Sequence, residues 1–426
     1  MTTSPAPQPT VVVLSLHTSP LEDPGTGDAG GMNTYVRQLS RAQAALGARV
    51  RVYTRSETGE RWEVDDRDVT VVGLPVGPPG ATKEDLPGTT GDFGDAVLAD
   101  LVAAGLTADV VHSHYWLSGL AAERLTCEAC AGLPVGRLPL HAHTMHTLGA
   151  TKNAELTGVG DWLPEPAGRL EAETQLLRTV DLAVASTPEE AEELLEQGAA
   201  RERVTVIPPG VDTDTFRPLE PTRREAVREE VRGSLGLGPD ALLVVQAGRW
   251  QEVKGQDVLV AAAEALAARA AAPVHVLFVG GPSGASGSDW LPARIVTSPA
   301  RDRLHTRGAV PPAELAEILA AADVVAVPSR TESFGLVAAE ALAVGAPVVA
   351  AHVGGLPRAL DGAGLLVEGH EPAPWADALR AVLGDAALRD ELAVRAARRG
   401  ERLSWRDAAA AHLTAYGELA GGRDDA

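Results

Sequence analysis

Short apolar runs of β-forming residues alternate with alanine-rich stretches of helical period along almost the whole chain, and no other feature limits the fold as strongly. Strands are expected at 11–16, 50–54, 109–112, 138–143, 182–186 and 204–207, with a helix over 32–46. Thr187-Pro188-Glu189-Glu190 opens another helix, with Thr187 as N-cap, Pro188 at the first helical position and Glu190 three residues on. Continuous apolar strands separated by helices argue for a parallel sheet covered on both faces.

Pro208-Pro209-Gly210 breaks the pattern, and 213–221 is irregular, as a domain linker would be. The alternation then restarts, with strands at 242–247, 274–279, 323–328 and 347–351 and helices over 256–269, 312–322, 333–344 and 374–383. The expectation is an α/β protein of two Rossmann-like domains facing a cleft, 1–212 and 213–400, with a last helix at about 401–420 able to pack back on the first. Open α/β sheets bind ligands beyond the carboxyl ends of their strands, so the loops there are where chemistry is sought.

Composition narrows the classes. The length of 426 residues suits two or three domains, and 45% apolar residues suffice for large cores. A formal charge of −21 argues against nucleic acid or an anionic membrane as partner. No apolar run approaches the ~20 residues of a transmembrane helix, and the start lacks a signal-peptide pattern. Two cysteines, Cys127 and Cys130, make no disulfide framework, and a lone C-x-x-C without a second pair is a weak zinc or redox signal. A cytoplasmic protein with no required cofactor or metal is expected. Of the 37 basic residues, three are lysine (Lys83, Lys152, Lys254), leaving 34 arginines. A lysine kept against such a bias is a candidate for a compact point charge with rotatable donors.

Four motifs fall at expected strand ends. Gly25-Thr-Gly-Asp-Ala-Gly30-Gly31 matches the dinucleotide fingerprint in letters. Eight residues separate it from its strand, however, and the second strand ends without an acidic residue for a ribose. Gly30 and Gly31 instead let a helix N-terminus approach a phosphate or sugar, with the Asn33 amide directed at the ligand. Next come His112-Ser-His114-Tyr115-Trp116 and His141-Ala-His143-Thr-Met-His146-Thr147. No Asp, Glu or Cys stands beside these histidines at ligand spacing, so hydrogen bonding to a polyhydroxyl ligand is favoured over a metal. Arg249 and Lys254, five apart beside a helix start, suit a diphosphate, Arg as a fork and Lys as a point charge. Glu332 and Glu340 are eight apart. On a helix beginning near Glu332 that is a ~12 Å rise and just over two turns, so both face the same way, toward the two ends of a nucleotide-diphosphate sugar. The helix N-terminus between them would face the diphosphate.

Together these motifs resemble the retaining GT-B glycosyltransferases of the glycogen-synthase and sucrose-phosphate-synthase kind, whose marks are the E-x7-E pair Glu332/Glu340 and the Arg249/Lys254 pair. His17-Thr-Ser-Pro, Pro24 through Asn33, Lys83-Glu-Asp-Leu-Pro, His112 through Gly119, His146-Thr-Leu with Lys152-Asn153, Gly280-Gly-Pro-Ser-Gly and Glu332-Ser-Phe-Gly-Leu-Val-Ala look like the inositol-3-phosphate glycosyltransferase branch of mycothiol biosynthesis in actinobacteria. The resemblance spans about 11–415.

It implies transfer of N-acetylglucosamine from a UDP-sugar to 1D-myo-inositol 3-phosphate. Lys83, Tyr115, Thr147 and Arg169 would hold the acceptor phosphate. His17 and Asp28, Ala29, Gly30, Gly31, Met32 and Asn33 would line the inositol. Asp23, Pro24, Gly31, Arg249, Lys254, Glu332 and Glu340 would hold the donor. His146 would position the donor hexose, and with Arg249, Lys254 and Glu332 it forms the catalytic set. The partners implied are small molecules, and relatives suggest a homodimer. Another donor sugar or acceptor, a nucleotide-sugar sensor without turnover and a dinucleotide oxidoreductase are the other readings.

Overall fold

The computed structural model describes residues 8–25, 29–126, 138–158, 163–238, 240–267, 273–282 and 290–424. Its first sheet contains β1 (Thr10–Ser15), β2 (Arg49–Arg55), β3 (Trp62–Asp65), β4 (Val69–Leu74), β5 (Val110–His114), β6 (Leu140–Thr144), β7 (Leu182–Ala185) and β8 (Val204–Val206). Their order is β3-β4-β2-β1-β5-β6-β7-β8, parallel except for β3, which runs antiparallel to β4. The second sheet contains β9 (Leu242–Ala247), β10 (Val274–Val279), β11 (Leu304–Arg307), β12 (Val324–Val327), β13 (Val348–Ala351) and β14 (Leu365–Val367). It is wholly parallel, in the order β11-β10-β9-β12-β13-β14.

The apolar strand runs become central strands because helices bury both faces. Val11, Val12, Val13 and Leu14 are at most 2% exposed, with Val11 and Val13 in one core cluster and Val12 and Leu14 in another. Each sheet reverses its strand order once, at β1/β5 and at β9/β12, and both reversals open on the cleft between the domains. Thr187 caps its helix as expected, accepting from the Glu190 N–H at 3.1 Å, while the Glu190 carboxylate accepts from the Ser186 N–H at 2.7 Å.

The last helix, Trp405–Asp424, lies on the first sheet beside the Gly31–Ala45 helix, where Trp405 and Tyr416 share a core with Tyr35, Val36 and Leu39. Further bonds cross between the domains. The Gly281 N–H donates to the Gly25 carbonyl at 2.9 Å, and Arg358 pairs with Glu189 at 2.8 Å.

The β3–β4 excursion and the Ala386–Gly400 helix are not among the expected elements. One expected element starts late. The helix after β12 runs Leu336–Ala343 and not from 333, because Gly335 at φ 97° turns the chain first.

Candidate active site

The segments after β1, β5 and β6 and the Ala167–Thr179 helix bring four of the expected acceptor residues together. Tyr115 directly follows β5, and His146 lies two residues beyond β6. Both adopt left-handed backbone, at φ 71° and 62°. Such conformations cost a non-glycine residue about 1–2 kcal/mol, and they turn these side chains out of the strand direction into the cleft. Arg169, on the Ala167–Thr179 helix, is 2% exposed and donates to the Tyr115 hydroxyl at 3.0 Å. It also donates to the Thr147 carbonyl and hydroxyl at 2.9 and 3.1 Å. His17 packs against Tyr115 with ring centroids 4.6 Å apart and the rings tilted by 46°. Burial, then the charges of Lys83, Arg169 and Arg249, push the His17 imidazole down to about 3, so it is neutral at pH 7. Three cations from three separate segments therefore act on one ring, as they do in an anion site.

Lys152 also belongs to this cluster. Its ammonium donates to Glu165 at 2.6 Å, and burial, opposed by Glu165, lowers its pKa. The signal for Glu165 in the sequence is a carboxylate between Pro164 and Pro166, four residues before Arg169, and the expectations assigned it no role.

The donor side is built at β9 and β12. Lys254 ends a short 3-10 turn, Glu252–Lys254, and its Nζ donates to Glu332 Oε2 at 2.7 Å. Two glycines permit this approach. At Gly255, φ 70°, a Cβ would stand 2.0 Å from the Pro328 carbonyl oxygen, and at Gly354, φ 48°, 2.0 Å from that of Glu332. Arg249 reaches the glycine loop opposite, since a Cβ on Gly30 would lie 3.4 Å from its Nε. Ser333 donates to the His146 carbonyl from across the cleft. A narrow cavity between the domains is lined by Thr147, Lys152, Glu155, Glu332 and Ser333.

Glu340 keeps part of its surface open, yet the surrounding protein shields it from bulk water. Burial first, and the carboxylate of Asp212 second, push its carboxyl up to about 8. The expectation that Glu332 and Glu340 share one helix is corrected here. Glu340 is helical, whereas Glu332 lies in the loop before Gly335 and is set by Lys254 and by the Gly355 N–H, which donates to its carbonyl at 2.8 Å.

Two further corrections follow from burial. Asn33 does not present its amide to a ligand. It is 1% exposed, its Nδ2 donates to the Thr18 hydroxyl and the Ser19 carbonyl, both at 2.6 Å, and its Oδ1 accepts from the Gly30 N–H at 2.8 Å. It shapes the loop from behind.

The histidine clusters are mostly internal as well. His112 and His114 do share a face, but His112 is consumed by Thr144 at 2.9 Å and by Tyr416 of the last helix at 2.8 Å. His141 and His143 both bond Ser113. Only His146 of this group borders the cleft. It is held by His114 at 2.9 Å, and burial first, with the neighbouring His17 second, pushes it down to about 3. Among the described residues no cluster of His, Cys, Asp and Glu suits a metal ion, and no helix is long and apolar enough to cross a membrane.

Of the remaining expected site residues, Gly31 faces Leu336 across the cleft, Ala29 is 2% exposed, and Met32 packs beside the core of the first helix. Asp23 and Pro24 precede the Gly25 contact to the second domain. Asp28, Cys127 and Cys130 lie outside the described residues.

Two α/β domains with a cation-rich crevice, a Lys–Glu pair at one strand end and a glycine loop opposite define a glycosyltransferase of GT-B architecture. Two family models match in agreement, Glycosyl transferase 4-like domain over 30–210 and Glycosyl transferases group 1 over 241–385. The chain belongs to the D-inositol 3-phosphate glycosyltransferase family. It is 46% identical to the protein so named from Xylanimonas cellulosilytica, over 96% of this chain and 97% of that one. It is 44% identical to the one from Nocardia farcinica, over 95% and 88%. Among solved structures, sucrose-phosphate synthase from Thermosynechococcus elongatus superposes with a TM-score of 0.85 at 28% identity, covering 97% of this chain and all of that one.

Proposed function

We propose that the chain transfers N-acetylglucosamine from UDP-N-acetylglucosamine to 1D-myo-inositol 3-phosphate with retention at the anomeric carbon, the first step of mycothiol biosynthesis, in the cytoplasm. The observation that carries this reading is the meeting of Arg169, Tyr115 and Thr147, with the Lys83 charge acting on the same His17 ring. Arg169, the two hydroxyls and the Lys83 charge suit a phosphate, which would take over from the carboxylates that neutralise Arg169 in the free chain. The names of the relatives support a phosphorylated inositol acceptor.

The donor diphosphate lies between Arg249, Lys254 and the backbone N–H groups that open the Leu336–Ala343 helix. Glu340 takes the ribose and Glu332, with its carboxylate steadied by Lys254, takes the hexose. Neutral His146 orients that hexose. The bond from the anomeric carbon to the β-phosphate oxygen breaks while the bond to the acceptor hydroxyl forms on the same face. The hydroxyl proton passes to the departing phosphate. Charge grows on the diphosphate as the bond breaks, and Arg249, Lys254 and the helix N-terminus stabilise it there. Contacts such as Gly281 to Gly25 and Ser333 to His146 close the cleft against water, which would otherwise hydrolyse the donor.

The test crosses UDP- and GDP-sugars with inositol 3-phosphate, free inositol and hexose phosphates, reading products by mass. Turnover with UDP-N-acetylglucosamine and inositol 3-phosphate alone fits the proposal. Preferred turnover of a hexose phosphate would move the chain to a sucrose-phosphate-synthase-like acceptor.

A further inference from the structure

Arg169 has five N–H groups to place. Nε–H goes to Glu173 at 2.6 Å, one Nη1–H to the Tyr115 hydroxyl, and Nη2 to the two oxygens of Thr147. The fifth is the second N–H of Nη1, and Glu165 Oε2 stands 2.8 Å from that nitrogen. The other oxygen of the same carboxylate, Oε1, accepts from Lys152 Nζ at 2.6 Å. One carboxylate therefore bridges two cations beside the hydroxyls proposed to take the acceptor phosphate, and the charge of Lys83 acts on Lys152 as well. In this arrangement the hydrogen bonds of Arg169 and its ion pair with Glu165 stand where a phosphate would bind.

The two acidic partners of Arg169 are not equivalent. The Glu173 side chain is 4% exposed and also accepts from the Gly149 N–H at 2.8 Å, so it is locked from two sides. The Glu165 side chain is 16% exposed, and among the described residues only the two cations hold it. Its backbone N–H is fixed separately by Asn153 Oδ1 at 2.8 Å, so the side chain can turn away while the loop stays in place. A phosphate ester brings nearly two charges and three acceptor oxygens where Glu165 brings one charge and two oxygens.

We propose that Glu165 is an internal counterion, which holds Lys152 and Arg169 together in the free enzyme and is displaced from both by the phosphate of the acceptor. Lys152 is then a further phosphate ligand, and Glu165 a positioning residue that sets selectivity for phosphorylated over neutral acceptors. A neutral polyol cannot repay loss of the Glu165 contacts, whereas a phosphate dianion can. This inference rests on the phosphorylated-acceptor reading above.

Glu165→Gln keeps the shape and removes the charge, so competition for the cations disappears. The expected result is a KM for inositol 3-phosphate about tenfold lower, and inhibition by inorganic phosphate strengthened about as much. The kcat and the UDP affinity, which reports correct folding, stay close to wild type. If Glu165 merely supports Arg169, as Glu173 does, the same substitution raises the acceptor KM, and that sign overturns the proposal. Glu173→Gln is the control for support and should raise it. Lys152→Met should raise the acceptor KM about tenfold with the donor KM unchanged. An unchanged acceptor KM would remove Lys152 from the site. If wild-type enzyme shows no preference for inositol 3-phosphate over free inositol, the acceptor reading fails. The inorganic-phosphate arm still decides whether Glu165 guards an anion site.

Discussion

Lys254 and Glu332 come from different strand ends, 78 residues apart in sequence, and meet at 2.7 Å across the β9/β12 reversal of the second sheet. Each keeps the other in the cleft before any donor arrives. An exposed pair would contribute little, but this one is mostly screened from solvent, with side chains 26% and 19% exposed. Lys254→Ala should lower kcat more than it raises the donor KM, because the charge it meets grows in the transition state. Losing one such donor typically costs ~2.7–4 kcal/mol, or 10²–10³ in rate. Steady-state kinetics with saturating acceptor checks this, and a variant with wild-type kcat would leave Lys254 as scaffolding for Glu332.

Glu340 predicts a proton signature. Its carboxyl is pushed up from 4.5 to about 8 in the free chain, so it carries a proton at pH 7. A carboxylate is the form that accepts hydrogen bonds from both ribose hydroxyls, so UDP binding at pH 7 should release close to one proton. Calorimetry in buffers of different ionisation enthalpy reads this directly, and Glu340→Gln should abolish it. The same shift sets a stability trend. The folded chain holds this proton where the unfolded chain has lost it, so the contribution is full below about 4.5 and is lost as pH rises through about 8. Glu340→Gln, neutral throughout, should therefore unfold at a higher temperature than wild type at pH 9, with the difference gone by pH 5.

Lys83 carries the sharpest test of the acceptor. Charge-assisted hydrogen bonds contribute roughly 1.5–3 kcal/mol each, and two of them predict that free inositol reacts ~10²–10⁴-fold less well than inositol 3-phosphate in kcat/KM. Lys83→Ala should erase most of that preference and leave slow hydrolysis of the UDP-sugar intact. Equal use of the two acceptors by wild type would refute the assignment.

His112 should matter for stability and not for catalysis. Tyr416→Phe removes the hydroxyl that bonds His112 Nδ1 and leaves a buried nitrogen without a partner. That costs about 1–3 kcal/mol. Chemical denaturation should show the loss, while kcat/KM per folded molecule stays within a few-fold of wild type. Activity lost at unchanged stability would return His112 to the ligand site.

The chain's local chemistry settled the architecture and marked the residues proposed for the donor site. Alternating apolar runs become parallel strands wherever helices bury both faces, and Arg249, Lys254 and Glu332 lie in the loops after β9 and β12, where position along the chain pointed. Period along a strand likewise put His112 and His114 on one face. It did not say what covers that face, because the cover is the Trp405–Asp424 helix, about three hundred residues away in sequence. The same distance problem hid the role of Asn33, whose amide is spent on Thr18 and Ser19, and the start of the helix before Glu340, which Gly335 delays. Only the tertiary structure brought the cations of the proposed anion site near one another. Lys83, Lys152, Arg169 and Arg249 lie on four separate segments, two loops and two helices. Whether Glu165 or a ligand neutralises them depends on separations of a few ångströms, to which Coulomb energies are steeply sensitive and which sequence spacing does not record.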